Sequence, residues 1–118
     1  MSGPILRIKA KETLDGLHRH GANHRRDFLV IKVARRADEM FGLAFSIGRK
    51  KVRFAVARNN LRRLIREWML INRERLVPGH DLLFLVLRDP RVRRLSQLES
   101  TLESLFQKAG LLKREAQA

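Results

Sequence analysis

The segment with the most evident chemistry is Arg58-Asn59-x-x-Arg62-Arg63-x-x-Arg66-Glu67. On a helix turning roughly 100° per residue, Arg58, Arg62 and Arg66 line one face, with Arg63 beside them. Guanidinium forks take phosphate oxygens bidentately. Asn59 both donates and accepts, which suits a ribose hydroxyl or a base edge. Glu67 faces Arg63, four residues back, rather than Arg66. A solvated face ordinarily mixes the two signs of charge. Four arginines with no interleaved acid repel one another unless an anion joins them.

A second basic cluster, Arg49-Lys50-Lys51-x-Arg53, precedes that helix. Basic turns are common, so the cluster gains its meaning from its position. The amides of a helix N-terminus also favour phosphate. The histidines His18, His20 and His24 have side chains that bind zinc or nickel elsewhere. Here they straddle an expected helix end, with no cysteine and no well-spaced carboxylate to complete a site. They read as surface histidines, and no metal site is expected on the protein. No H-E-x-x-H, phosphate-binding glycine loop or nucleophile elbow occurs. Asp81 precedes an apolar run and Glu67 sits among arginines, so the carboxylate cluster of a two-metal nuclease is missing too. No catalytic residue is expected.

The charge of the whole chain agrees with a polyanionic partner. The 118 residues hold 26 Lys and Arg against 12 Asp and Glu, a formal net charge of +14. Residues 95–118 carry three acids and three bases, so the whole excess lies in residues 1–94. Arg49 to Arg75 alone holds ten bases and two acids, or +8 in 27 residues. Such a field draws in polyanions. Nucleic acid leads, and an anionic membrane surface is the competitor.

Hydrophobic residues make up 44% of the chain, enough to argue against disorder. One domain over 1–118 is expected from the length. No apolar run approaches the roughly 18 residues of a membrane span. Met1 to Arg7 lacks the apolar core of a signal peptide. The absence of cysteine rules out disulfides and thiolate zinc sites, and fits a reducing compartment. A cytoplasmic location is the expectation.

The elements that would position these residues follow from periodicity. The spacing predicts a short helix over 9–20, with Leu14 and Leu17 on one side and Gly21 as its cap. Gly16 inside it costs about 1 kcal/mol relative to Ala. Strands are predicted over 28–34 and 41–47, the second with Phe41, Leu43, Phe45 and Ile47 on its core face. Val52 to Val56 reads as a third, short strand. The longest helix is predicted over 57–76, with Leu61, Leu64, Ile65, Trp68 and Ile71 on its apolar arc. Pro78-Gly79 stops it. Leu82 to Leu87 is a continuous apolar run, as expected of a strand buried on both faces and so interior to a sheet. Ser96-Gln97-Leu98-Glu99 has the form of a capping box for a last amphipathic helix, with Gly110 just beyond its end. The order helix, three strands, helix, strand, helix makes an α+β, two-layer sandwich.

The segment from Lys50 onward resembles the bacterial ribonuclease P protein family. That family runs a basic element into an R-N-x-x-(K/R)-R-x-x-R-E helix, matched here by Arg58 to Glu67. It then enters a strand through a P-G-x-D turn, matched by Pro78-Gly79-His80-Asp81. Phe41-Gly42-Leu43-Ala44-Phe45-Ser46 is similar to the family's strand before the basic loop, and the likeness covers about residues 5–110. The resemblance implies a left-handed βαβ crossover, against the usual right-handed rule. It implies a partner RNA that carries a Mg2+-dependent active site and cleaves the 5′ leader from precursor tRNA, with the metal bound mainly by the RNA. The protein would bind that RNA through Arg49, Lys50, Lys51, Arg53, Arg58, Asn59, Arg62, Arg63 and Arg66. It would hold the leader in a cleft between the sheet and the first helix, at Leu14, Leu17, His18 and Phe28. Neither a membrane nor a protein partner is implied. The chain departs from the family where Leu14 and His18 replace usual aromatics, and where Arg49 and Arg53 replace the usual Ser and Gly. The alternative reading is a basic, ribosomal-protein-like RNA-binding protein without a cleavage role.

Overall fold

The apolar run after Pro78-Gly79 becomes the middle strand of a five-stranded sheet. The computed structural model describes residues 4–113, so both ends of the expected 1–118 domain lie outside the described residues. The elements are β1 (Ile5–Arg7), α1 (Lys11–His20), β2 (Ala22–Arg26), β3 (Leu29–Arg35), β4 (Phe41–Ser46), α2 (Ala55–Ile71), β5 (His80–Val86) and α3 (Glu99–Lys108). Across the sheet the strands run β1-β4-β5-β3-β2. β4 is parallel to β1 and to β5, whereas β3 is antiparallel to β5 and to β2. β4–α2–β5 is therefore a crossover between neighbouring parallel strands.

Strand alternation sorts the two faces. Leu82, Phe84 and Val86 of β5, Leu29 and Ile31 of β3, and Phe41 and Leu43 of β4 all join the main core. Over them lie Leu61, Leu64, Ile65 and Trp68 of α2 and Leu102, Leu105 and Phe106 of α3. Trp68 and Phe84 both pack against Phe106, at 4.9 and 6.1 Å between ring centroids. Sheet and two helices make the expected two layers. α1 lies against β3 and β5 on the opposite face, where Leu17 and Leu83 are buried apart from the main core. Lys32 fastens it, donating from Nζ to the His18 carbonyl at 2.8 Å.

Four local expectations change. Val52 to Val56 is not a strand: Lys51 and Val52 both donate to the Gly48 carbonyl in a turn, and α2 begins at Ala55. Only Val52 reaches the core; Phe54 and Val56 point to solvent. The third strand between the first two helices is instead β2, whose Ala-Asn-His-Arg-Arg sequence has no apolar alternation. It forms because β3 supplies its hydrogen bonds, and its charges suit a sheet edge. β1 was also silent in the sequence, being three residues long. The long helix stops at Ile71, where the Asn72 side chain donates to the Trp68 carbonyl and a short 3-10 turn, Arg73–Arg75, follows.

The helix caps differ in the same way. Gly21 ends α1 with an extended backbone, φ −64°, so it is no left-handed cap. Gly110, at φ +71°, is one, and the Leu111 amide reaches back to the Phe106 carbonyl. Ser96 falls inside a 3-10 turn, Leu95–Gln97, and it is Gln97 whose side-chain oxygen accepts from the Arg93 and Arg94 amides.

The turn between β3 and β4 holds an ion-paired cluster. Arg36 donates from Nε to Asp38 at 2.8 Å and from NH1 to Asp81 at 2.7 Å. These bonds hold the guanidinium pKa above its ordinary range. The Arg36 guanidinium and the Met40 amide lower the Asp38 carboxyl to about 2.

Candidate nucleic-acid interface

α2 folds as a helix because its apolar residues repeat at helical spacing. That burial turns Asn59, Arg62, Arg63 and Arg66 outward together. Arg62 donates to Asn59 Oδ1 at 2.8 Å and Arg63 to Asn60 Oδ1 at 2.7 Å. Glu67 approaches Arg63 only to 3.8 Å. Among the described residues, no carboxylate pairs with Arg58, Arg62 or Arg66. The amides of Asn59 and Asn60 thus aim the two guanidiniums without neutralising them.

Two of the arginines also build structure. Arg66 donates to the Ile5 carbonyl at 3.1 Å and ties β1 to α2. Half-buried Arg58 donates to the Val52 and Arg53 carbonyls at 2.9 and 3.0 Å, holding the basic loop against the helix. Arg49, Lys50, Lys51 and Arg53 are exposed around that loop.

A groove of about 820 Å³ runs beside the helix. One wall is Asn59, Arg62, Arg63 and Arg66; facing them are Arg7, Ile8 and half-buried Leu14 of α1. Leu43, Ala44 and Phe45 complete it, at the place where β1 ends and leaves the edge of β4 uncovered. A shallower depression of about 350 Å³ lies on the sheet face that carries α1. Val30, Leu85 and Leu87 are apolar there, and Asn23, His24, Arg25 and Lys32 are polar.

Of the residues assigned to the leader, Leu14 and exposed His18 remain accessible on α1. Leu17 and Phe28 do not: they are 1% and 4% exposed. Leu17 seals α1 to the sheet, and Phe28 joins the main core with the Arg88 guanidinium 6.0 Å from its ring centroid. Amphipathic spacing marks a buried position as readily as a binding one, and here burial claimed both. His18, His20 and His24 do not converge on a metal site; among the described residues no three His, Asp or Glu side chains do.

Sequence reasoning missed Arg7, Ile8, Ala44 and Phe45 in the groove, and Val30, Lys32, Leu85 and Leu87 on the sheet. Two signals were available. Ala44 is a small residue between Leu43 and Phe45 on β4, which leaves room for a groove there. Lys32 is a lone charge inside an apolar strand, so the face it shares with Val30 had to meet solvent.

A family model described as Ribonuclease P matches residues 5–110. The chain belongs to the ribonuclease P family. The ribonuclease P protein component of Clostridium kluyveri is 27% identical over 111 residues, covering 92% of this chain and 98% of its own. That of Lactobacillus delbrueckii subsp. bulgaricus is 32% identical over 106 residues, covering 89% of this chain and 85% of its own. The RNase P protein of Staphylococcus aureus superposes with a TM-score of 0.79 at 20% identity, covering 91% of this chain and 97% of its own. That of Thermotoga maritima gives 0.75 at 19% identity, covering 86% and 96%. Within this family likeness the sheet order and the three helices are the shared fold. No helix of the described residues is long and apolar enough to cross a membrane.

Proposed function

We propose that this chain is the protein subunit of ribonuclease P, binding a catalytic RNA and the 5′ leader of precursor tRNA so that the leader is removed by endonucleolytic cleavage. The observation that carries the reading is the α2 face: Arg62, Arg63 and Arg66 point into one groove without a neutralising acid in contact with Arg62 or Arg66. A phosphate backbone is the anion whose spacing and charge such a row suits. Family membership selects this reading over a ribosomal-protein-like RNA binder.

On this reading the RNA supplies the chemistry. The Mg2+ that the cleavage uses would be held mainly by the RNA. The protein contributes position and field. The groove beside α2 is continuous with α1 through Leu14, which connects the RNA-binding arginines to the cleft beside the first helix. The leader would pass along α1, past Leu14 and His18, over the sheet face that carries Val30, Lys32 and Leu85. The complex would work in the bacterial cytoplasm.

Reconstitution tests this. Full-length protein added to a cognate ribonuclease P RNA should restore precursor-tRNA cleavage at low Mg2+, and protein alone should cleave nothing. Metal-dependent cleavage by RNA-free protein would overturn the division of labour. RNA binding without any gain in cleavage would favour the ribosomal-protein-like alternative.

A further inference from the structure

Phe54 occupies a position that neither helix stability nor the core accounts for. It is the N-cap of α2, with extended backbone and no capping hydrogen bond from its side chain. Ser, Thr, Asp and Asn are the residues that stabilise that position. Its ring does not reach the core either, being 66% exposed, and Val56 beside it is 80% exposed. Arg53 lies over the ring with its guanidinium carbon 5.5 Å from the centroid.

The ring lines a groove of about 890 Å³ between the start of α2 and the segment that follows β5. Arg91 and Arg93 stand on the far side, with Asp89 as the acid of the lining. That far side is held in shape. Arg91 sits in the left-handed region, φ 54°, and its amide donates to Asp89 Oδ1 at 2.8 Å. The Arg93 amide donates to Gln97 Oε1 at 2.7 Å, and Asn60 Nδ2 reaches the Val92 carbonyl at 3.4 Å. An open aromatic ring, three arginines around it and fixed walls are the parts of a single-stranded nucleic-acid site. Aromatic rings stack on bases of any identity, and arginines take the adjoining phosphates.

We propose that Phe54 is a stacking platform for an unpaired RNA base, with Arg53, Arg91 and Arg93 holding the flanking phosphates. The inference rests on the RNA-binding reading of α2 and extends it around the helix N-terminus, from the Arg62–Arg63 face to the opposite groove. A membrane surface fits less well, because the two exposed apolar side chains stand in a walled groove beside a polar Asn60.

The experiment compares single-stranded oligouridine with duplex RNA of equal charge, each titrated against the full chain. Phe54→Leu keeps the apolar bulk and removes the ring, and Phe54→Trp keeps a ring. Phe54→Leu should weaken oligouridine binding by roughly 5- to 150-fold, the range of a lost base stack. Its salt dependence and duplex affinity should not change, and Phe54→Trp should retain wild-type affinity. Thermal melting should find both variants folded, since the side chain is exposed. A separate variant, Arg62→Ala with Arg63→Ala, should weaken both RNAs. If it does while Phe54→Leu binds oligouridine as wild type does, the stacking platform is overturned and the α2 interface stands. If neither variant affects either RNA, both readings are overturned. A Phe54→Leu defect seen only with anionic phospholipid vesicles would overturn the platform in favour of a membrane contact.

Discussion

The carboxylate of Asp81 occupies the space that a side chain on Gly42 would need. The two residues are register partners in the parallel β4–β5 pair, and a Cβ on Gly42 would stand 1.9 Å from Asp81 Oδ1. The same oxygen accepts from Arg36 at 2.7 Å. Gly79, at φ +84°, lets the chain turn into β5; its amide donates to the Met40 carbonyl and its own carbonyl accepts from the Arg36 amide. The Pro78-Gly79-His80-Asp81 motif is thus a structural lock. It ties the end of the α2 crossover to the β3–β4 turn and sets where α2 hangs over the sheet.

Gly42→Ala should therefore cost about 1–3 kcal/mol of stability through overpacking. In an Asp81→Ala background the same change should cost less, giving a coupling of about 0.5–3 kcal/mol. Urea denaturation of the four proteins measures this. Additive effects would disprove the steric account.

Arg36 and the Met40 amide lower the Asp38 carboxyl from 3.8 to about 2. A depressed carboxylate stabilises the fold fully above its unfolded value, and that contribution is lost as pH falls through the folded value. The β3–β4 turn should weaken between about pH 4 and pH 2. Carboxyl NMR titration should place Asp38 near the lower end, and Arg36→Ala should return it toward 3.8. A titration near 3.8 in the unaltered protein would refute the Arg36 bond.

The α2 arginines should separate into two kinds. Arg62→Ala with Arg63→Ala should weaken binding to the partner RNA and shallow its log–log salt slope by roughly 0.7–0.9 per lost phosphate contact. Stability should stay within about 0.5 kcal/mol of wild type, as for surface changes. Arg66→Ala should reduce RNA affinity and also cost about 1 kcal/mol of stability, because the Ile5 carbonyl loses its donor. Anisotropy titrations over a salt series, paired with thermal melts, distinguish the two patterns.

Leu14 and Leu17 should also part company. Leu17→Ala should cost about 2–5 kcal/mol by emptying the seal between α1 and the sheet. Leu14→Phe, at a half-buried groove position, should tighten precursor tRNA carrying an unpaired leader by up to about 1–3 kcal/mol if a base stacks on the new ring. Mature tRNA should bind as before. A loss of stability without leader-specific tightening would make Leu14 a packing residue.

What the chain determined by itself was whatever depends on neighbours within a few turns. The arginine row needs only the helical period of Leu61, Leu64, Ile65 and Trp68 to place it on one face. The interior position of β5 follows from its unbroken apolar run, and α3 from Leu98, Leu102, Leu105 and Phe106. The Arg58 to Glu67 motif and the spaced P-G-x-D identified the family from these same local segments. Tertiary structure decided the rest. β1 and β2 exist only as partners of β4 and β3, so their own residues carry no strand pattern. Val52, Phe54 and Val56 alternate like a strand, yet the start of α2 claims the segment and leaves Phe54 on the surface. Leu14 and Leu17 look equivalent along the helix, and only docking on the sheet buries one and leaves the other at a groove. Hydrogen-bond partners and burial across the sheet come from residues distant in sequence, so periodicity registers that a residue is apolar but not which surface will cover it.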